Sequence, residues 1–353
     1  MTDADLDAIP AARLPDLLRR MPKAELHLHV EGTLEPELAF ALAERNRVRL
    51  PWRDVASLRA AYAFTSLQSF LDVYYSVASV LRTEADFHDL AWSYLDRAAE
   101  DSVRRAEIFF DPLTHTSRGV PVAHVIEGLH HACERARAEL GVSASLVLCF
   151  LRHRTEAEAF ATLESALPHR RRFIGIGLDS SEFGHPPRDF ARVFALGREL
   201  GLHVVAHAGE EGPPEYVTEA LDLLHAERID HGVRAMEDPE LVRRLARDRV
   251  PLTVCPLSNV CLRVVETTAE HPLRALLEAG VLATVNSDDP AYFGGYLAEN
   301  LRQSFEALGL GARHARTLAR NGFEASFADE ADRRHWLGEV DAFFEREAGG
   351  AAG

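Results

Sequence analysis

The chain has 353 residues, of which 47% are hydrophobic and 27% are charged, a balance typical of a soluble globular protein that buries one extensive core. Its formal net charge of −16 argues against a nucleic-acid partner, because an acidic surface repels a phosphate backbone. Neither a secretory signal nor an apolar run of membrane-spanning length is recognisable, and the four scattered cysteines form no CxxC pair, so we expect a cytoplasmic protein with reduced thiols and no membrane partner.

Eight short apolar or β-branched runs alternate with longer helix-like stretches along the chain. The runs cover Ala24–Val30, Ala106–Phe110, Ser145–Leu151, Phe173–Leu178, His203–Ala208, Arg228–Val233, Pro251–Cys255 and Val281–Asn286. The amphipathic segments between them include Phe190–Leu200, Thr218–Leu224, Pro239–Arg247 and Pro272–Ala279. Alternating strands and crossover helices are typical of a parallel sheet, and eight such strands predict an α/β fold of the (β/α)8, or TIM, barrel type.

The domain organisation follows from this alternation. Residues 1–345 form one predicted domain, since α/β barrels of this size remain undivided. Residues 346–353 end in Ala-Gly-Gly-Ala-Ala-Gly, a composition that cannot pack, and we expect a disordered tail there.

The first gap between strands, about residues 33–102, is longer than one crossover requires. It is rich in large apolar side chains, among them Trp52, Tyr62, Phe70 and Tyr74. We expect a helical insertion that emerges after the first strand at the C-terminal face of the barrel, where it would form a lid over a pocket. An outer packing layer is the alternative.

The first strand alternates sharply between two kinds of side chain. Its even positions are apolar, whereas its odd positions include His27 and His29. In a parallel barrel the apolar face packs against the helices, so both imidazoles are expected to point into the lumen near the end of the strand, where barrel active sites lie. A lone strand histidine is usually a packed core residue, but two rings on one side form half of a metal site.

Three further strands end in polar clusters. The fifth run ends with His207 and Glu210 follows closely, the sixth ends near His231, and the eighth is followed by Asp288 and Asp289. Because parallel strands end at one rim, these groups are expected to meet His27 and His29 there. Taken alone, Asp288-Asp289-Pro290 is equally typical of a turn that starts a helix.

These motifs resemble the adenosine/adenine deaminase family of zinc aminohydrolases. The resemblance is carried by Met21–His29, His207–Glu210, His231-Gly232 and Ser287–Pro290. Further stretches are similar to the adenine deaminase branch in particular, namely Ile108–Thr116, Gly177–Pro187, Glu210–Tyr216, Cys255–Val260 and Asp288–Tyr296. Cys261 departs from that branch, where lysine is expected, but this position carries no catalytic role.

The resemblance implies one Zn²⁺ per chain, held by His27, His29, His207 and Asp288. A water or hydroxide would complete the shell, the open arrangement of a catalytic rather than a structural zinc site. That water would attack C6 of a 6-aminopurine and release ammonia.

The resemblance also implies three roles around the reacting ring. Glu210 would deliver a proton to N1, which requires a neutral carboxylic acid. His231 would orient the attacking hydroxide, and Asp289 would hydrogen-bond N7. Glu210 as an exposed loop carboxylate and His231 as a polar contact at the end of a strand are the alternatives that we reject.

The expected substrate is free adenine. Glu31 stands where the nucleoside-deaminating enzymes of the family have an aspartate that contacts ribose, and its longer side chain would fill the space of a sugar. The segment containing Ser180 and Glu182 also departs from those enzymes and is expected to contact the purine. Because one methylene discriminates only modestly, adenosine and N6-substituted adenines remain alternatives.

More distant functions are also open. A related hydrolase of the same fold acting on another bond would often use two metals and a bridging lysine, but Lys23, the only lysine, lies at the start of the first strand. The signature of cytidine-type deaminases, His-x-Glu together with Pro-Cys-x-x-Cys, is not met because the sequence contains no Pro-Cys-x-x-Cys. An inactive binding protein would have lost Glu210 or a ligand. Association into a homo-oligomer is left open.

Overall fold

A computed structural model describes residues 2–349 and contains one eight-stranded parallel sheet in which every strand lies beside its neighbours in sequence. The strands are β1 (Lys23–His29), β2 (Val103–Phe110), β3 (Ser143–Leu151), β4 (Phe173–Asp179), β5 (His203–Ala208), β6 (Arg228–His231), β7 (Leu252–Val254) and β8 (Ala283–Val285). Each overlaps one of the eight predicted runs, so the (β/α)8 prediction is confirmed.

The barrel is closed by the residues that follow β8. The backbone N–H of His29 donates to the carbonyl of Asp288 (3.0 Å), and the N–H of Asp288 donates to the carbonyl of His27 (3.1 Å). Leu28 and Asp288 thus form a parallel bridge. Closure therefore places Asp288 beside the two histidines of β1.

The helices cover the outside of the barrel and its two ends. They are α1 (Asp3–Asp7), α2 (Leu14–Arg20), α3 (Pro36–Asn46), α4 (Val55–Ala60), α5 (Leu67–Ala78), α6 (Glu84–Glu100), α7 (Pro112–Thr116), α8 (Val122–Glu139), α9 (Glu156–Ala166), α10 (Ala191–Glu199), α11 (Pro214–Glu219), α12 (Pro239–Asp248), α13 (Pro256–Cys261), α14 (Leu273–Glu278), α15 (Pro290–Phe293), α16 (Leu297–Leu308), α17 (Ala312–Glu324) and α18 (Glu330–Gly349). Within residues 2–349 no helix has both the length and the apolar character that crossing a membrane requires.

Side chains alternate between the lumen and the outer layer, as the pleat of a strand requires. Leu26 and Leu28 of β1 are fully buried in the large core between strands and helices. Phe109, Val147 and Val205 form a separate small cluster inside the barrel. The lumen is thus a packed core, which also contains the buried ion pair between Glu107 on β2 and Arg228 on β6.

Short helices begin directly after three strands at the C-terminal end of the barrel. In α7, α13 and α15 a proline occupies the first helical position, where its missing N–H leaves no hydrogen bond unmade. Asp289 is the residue that precedes α15. The helix-starting turn predicted as an alternative for Asp288-Asp289-Pro290 is therefore present, and it coexists with a site.

The long first gap holds four helices. α6 is the crossover helix that packs on α8, while α3, α4 and α5 are additional. Helices are thus present throughout the predicted insertion.

The C-terminal helix α18 continues to Gly349, so the disordered tail predicted from residue 346 is wrong for residues 346–349. Glu347, which is 9% exposed, receives ion pairs from Arg13 (2.6 Å) and Arg20 (3.0 Å) and so ties the last turn to the N-terminal segment. Residues 350–353 of the predicted tail lie outside the described residues.

Candidate active site

Four side chains from three parts of the barrel converge at the C-terminal end of the lumen. Ligand atoms of His27, His29, His207 and Asp288 all lie within 4.8 Å of one another, and all four residues are buried. Asp288 Oδ1 lies 3.3 Å from His27 Nε2 and 3.4 Å from His29 Nε2, and the Nε2 atoms of His29 and His207 are 3.1 Å apart.

Unusual backbone conformations place two side chains of the site, one at the end of β6 and one after β8. Asp288 and His231 both adopt left-handed conformations, with φ of 63° and 62°. Such conformations cost a non-glycine residue about 1 kcal/mol or more and persist only where the surroundings impose them. The hydrogen bonds that close the barrel hold Asp288 in this state.

Two of the imidazoles have their Nδ1 atoms turned toward acceptors. His27 Nδ1 lies 3.2 Å from the backbone carbonyl of Thr253, which can only accept, so the ring carries its hydrogen on Nδ1. His207 Nδ1 lies 3.5 Å from Oδ2 of Asp230, whose other oxygen accepts from Thr253 Oγ1 (2.8 Å). Asp230 thus supports the site without facing the cavity. The sequence did not reveal this role, because the only signal was that Asp230 directly precedes His231.

The inward-facing atoms fit a cation. With hydrogen on Nδ1, the Nε2 atoms of these rings present lone pairs to one another, and His27 Nε2 is fully buried without a hydrogen-bond partner. Converging lone pairs repel unless a positive charge lies between them. Three imidazole nitrogens and one carboxylate are a donor set suited to zinc.

Two other groups of three potential ligands overlap this cluster. One is His231, Cys255 and Asp288, and the other is His29, Asp111 and Asp179. Burial raises the pKa of the Cys255 thiol, which disfavours the thiolate that a metal needs. The set of four is therefore the better ligand group.

Glu210 and His231 lie side by side next to the cluster. His231 Nε2 is 3.5 Å from Glu210 Oε2 and 3.8 Å from Asp288 Oδ2. Burial, reinforced by the negative charge of Asp288, raises the pKa of Glu210 well above its usual value. Burial lowers the pKa of His231. Both effects favour the uncharged forms, a carboxylic acid beside a neutral imidazole.

The cavity above the cluster has a volume of about 410 Å³, including its open mouth, and lies at the barrel end as predicted. Its polar lining residues are His29, Asp111, Asp179, Ser180, His207, Glu210, His231, Asp288 and Asp289. Asp111 and Asp179 were not singled out from the sequence, although Asp111 directly follows β2 and Asp179 ends β4. Burial and the neighbouring charge of Asp179 raise the pKa of Asp111.

Asp289 lines the cavity beside the cluster. Its Oδ1 is buried without a protein partner. Burial and the neighbouring charge of Asp288 raise its pKa well above the usual value. Gly32 is required nearby, because a Cβ there would lie 2.0 Å from Asp289 Oδ1.

Ser180 lines the cavity as predicted, in a left-handed backbone conformation with φ of 72°. Its Oγ is hydrogen-bonded to Tyr75 Oη (3.2 Å) and lies 2.9 Å from His153 Nδ1. Ser180 therefore also links the barrel rim to the helical insertion.

The insertion contributes an apolar wall to the cavity. Its lining residues are Leu67, Phe70, Leu71, Tyr74 and Tyr75, all on α5. Phe70 packs against Phe293 (4.7 Å between ring centroids) and Tyr292 (5.5 Å), on the helix that follows Asp289. The insertion is therefore more than an outer packing layer.

Glu182 lies outside the cavity lining, contrary to the predicted substrate contact. Its carboxylate accepts four backbone hydrogen bonds, from the N–H groups of Gly209, Glu210, Glu211 and Gly212 (2.7–3.0 Å). A Cβ at Gly212 would lie 2.5 Å from Glu182 Oε1, so glycine allows this close approach. With its oxygens occupied, Glu182 holds the loop that carries Glu210.

Glu31 also lies outside the cavity lining, contrary to the predicted contact. A short 3-10 turn begins at Glu31 and takes its side chain out of the row formed by His27 and His29. Glu31 Oε1 accepts from the backbone N–H of Asp111 (3.3 Å) and lies 2.8 Å from His115 Nε2. Glu31 thus supports the cavity wall from behind.

Comparisons with known proteins agree with this geometry. Residues 22–343 match the family model described as adenosine deaminase. An adenine deaminase from Trichlorobacter lovleyi is 62% identical over 344 residues, which cover 97% of this chain and 99% of the relative.

Two solved structures share the fold. The crystal structure of adenine deaminase from Arthrobacter aurescens has a TM-score of 0.91 and 51% identity, covering 92% of this chain and 99% of that one. An amidohydrolase from Burkholderia ambifaria, with bound Zn, has a TM-score of 0.90 and 27% identity, covering 98% and 96% of the two chains. Because the family match spans most of the barrel and its polar rim, this chain belongs to the adenosine deaminase family.

Proposed function

We propose that this protein hydrolyses adenine to hypoxanthine and ammonia, using one zinc ion per chain. The observation that carries the proposal is the meeting of three imidazoles and a carboxylate within 4.8 Å at the floor of a cavity that also contains Glu210 and Asp289. Relatives named adenine deaminase at about 62% identity over nearly the whole chain support the choice of adenine.

His27, His29, His207 and Asp288 would hold the metal. The amidohydrolase with bound Zn, 27% identical to this chain, supports zinc as the ion. When bound, zinc supplies the Lewis acidity that lowers the pKa of a water molecule toward neutrality.

Glu210 is proposed as the acid that protonates ring nitrogen N1. Nucleophilic addition at C6 breaks the aromaticity of the purine, so N1 must gain a proton in the same stage. The raised pKa of Glu210 favours the protonated carboxyl that this donation requires. The Glu182 carboxylate would keep Glu210 in place by holding its backbone N–H (3.0 Å).

His231 and Asp289 are proposed to orient the reactants. A neutral His231 beside Glu210 can hydrogen-bond the attacking water and steady the charge that develops at C6. The raised pKa of Asp289 favours its protonated form, whose hydrogen would match the lone pair of purine N7.

The cavity favours a small uncharged ring. Its volume of about 410 Å³ includes the mouth, and its lining contains no lysine or arginine that could pair with a phosphate group. α5 supplies apolar side chains against which a flat base can pack. Ser180 is proposed to contact the purine, whereas Glu31 and Glu182 would act indirectly by supporting the wall and the Glu210 loop.

The test is to incubate zinc-loaded protein with adenine, adenosine, N6-substituted adenines and a nucleotide, and to follow ammonia and the ultraviolet spectrum. Turnover of adenine with much higher kcat/KM than of adenosine is expected. Release of ammonia from adenosine alone would shift the substrate to the nucleoside, and no release from any compound would overturn the proposal.

A further inference from the structure

A line of buried polar groups that are not part of the metal-ligand cluster is hydrogen-bonded to Glu210 and His231. It consists of Asn259 on α13, which is fully buried, and His271 just before α14, which is 3% exposed. Neither residue was singled out from the sequence, and neither lines the cavity. A backbone N–H group determines which atom donates and which accepts in each of their hydrogen bonds.

The first donor in this line is a backbone N–H group, which can donate but not accept. The backbone N–H of Leu273 donates to His271 Nδ1 (3.1 Å), so that nitrogen presents a lone pair. Burial lowers the pKa of His271 to about 3, so the ring is neutral near pH 7. Its one hydrogen is therefore on Nε2, which donates to Asn259 Oδ1 (3.1 Å).

The orientation of the Asn259 amide follows from that bond. With Oδ1 facing His271, its Nδ2 lies 3.5 Å from Glu210 Oε1 and 3.4 Å from His231 Nδ1. An amide nitrogen has two hydrogens and no acceptor capacity, so it donates to both. His231 Nδ1 then accepts and carries no hydrogen, so the ring hydrogen is on Nε2.

We propose that Asn259 and His271 form a positioning relay that sets the hydrogens of the two groups beside the substrate. The relay directs the Nε2–H of His231 toward the reacting centre. It also makes Oε1 of Glu210 an acceptor, which leaves Oε2 as the oxygen that can carry a proton. This inference rests on the proposed function and extends it to two residues that act through Glu210 and His231.

The first test replaces His271 with phenylalanine, a ring of similar shape that neither accepts nor donates. Asn259 is then free to turn its amide, and kcat for adenine should fall roughly tenfold, the effect of one lost hydrogen bond, with KM changed less than twofold. His271→Gln should restore most of kcat, because its amide can accept from Leu273 and donate to Asn259. His203→Phe, at the opposite end of the barrel and stacked on Phe327, is the matched control with unchanged kcat.

A double-mutant cycle tests whether the two residues act in series. Asn259→Leu removes both donors and should lower kcat more than His271→Phe, and His271→Phe should then cause no further loss in the Asn259→Leu background. The relay would be overturned if the double variant lost kcat by the product of the two single losses. Unchanged kcat in His271→Phe, or equal kcat in His271→Gln and His271→Phe, would also overturn it. Zinc content and melting temperature are measured for each variant.

A second measurement needs no variant. In zinc-loaded wild-type protein, ¹⁵N nuclear magnetic resonance of the imidazoles should show both His271 and His231 with hydrogen on Nε2. Hydrogen on Nδ1 in either ring would overturn the relay, even if the variants failed to fold. Failure of the proposed function is distinguishable, since the wild-type protein would then release no ammonia from adenine while these signals remained as expected.

Discussion

At the scale of single residues, burial favours the uncharged forms of groups that are proposed to take part in the chemistry. Glu210 and Asp289 both have raised pKa values because they are desolvated next to the charge of Asp288. Such perturbed groups cluster at functional sites, where acids that stay protonated near pH 7 are useful. These shifts agree with the proposed roles, in which Asp288 is an anionic metal ligand and Glu210 and Asp289 donate protons.

Glu210→Gln tests the proton donor. The amide keeps the size of the side chain but cannot release a proton to N1, so kcat should fall roughly 100-fold to 10,000-fold. Zinc content should stay at one per chain, because Glu210 is not a ligand. Turnover within a factor of three of the wild-type rate would remove Glu210 from this role.

Glu182→Gln tests the support of the Glu210 loop. One oxygen becomes an NH2 group that faces backbone N–H donors, so we expect a loss of roughly 3 kcal/mol in the free energy of unfolding and reduced turnover. Glu211→Gln makes the same change on a half-buried side chain of the same loop and serves as the control. Equal unfolding midpoints in denaturant for the two variants would contradict this role.

The sequence predicted which side chains meet but not how each one acts. Alternation in β1 and the polar ends of β5 and β8 indicated that polar groups converge at one rim, and the family resemblance selected His27, His29, His207 and Asp288 among them. Glu182 and Glu31 were assigned wrong contacts because loop and turn backbones decide where such side chains point. Asn259 and His271 were missed because nothing in a single sequence reveals that they are hydrogen-bonded to one another.

At the scale of elements, the insertion and the rim form one aromatic cluster. Phe64 lies 5.4 Å from Phe70, which contacts Phe293 at 4.7 Å between ring centroids. Because α15 directly follows Asp289, packing of α5 on this helix couples the cavity wall to the metal-ligand segment. The large apolar residues of the first gap predicted an added layer, but its contact partner is non-local and became evident only in the fold.

Phe70→Ala tests that coupling. The truncation leaves a cavity in the cluster and should lower the free energy of unfolding by about 3 kcal/mol, and KM for adenine should rise because Phe70 also lines the cavity. Phe40→Ala, on α3 of the same insertion and only partly buried, should change KM little. A normal KM for Phe70→Ala in steady-state kinetics would mean that α5 does not shape the substrate site.

At the scale of the whole molecule, stability should depend on pH through the neutral buried His271. Its pKa is about 3 in the folded protein and about 6.5 in the unfolded chain, so below pH 6.5 the unfolded chain binds more protons and stability falls as the pH falls. His271→Phe removes this dependence. Relative to that variant, the wild-type protein should lose roughly 2 kcal/mol between pH 7 and pH 5.

Urea unfolding of both proteins at the two pH values measures this difference, and pH effects common to both proteins cancel. A difference in unfolding free energy that stays constant between pH 7 and pH 5 would show that His271 titrates normally in the folded protein.

The most direct measurement of the metal's role is a titration of metal-free protein with zinc while adenine deamination is followed. The metal-free protein should be inactive, and activity should rise linearly to a plateau at one zinc per chain. His207→Ala should bind zinc far more weakly and remain inactive at that ratio. Full deamination of adenine without metal, or a plateau only at two zinc ions per chain, would contradict a single ion held by His27, His29, His207 and Asp288.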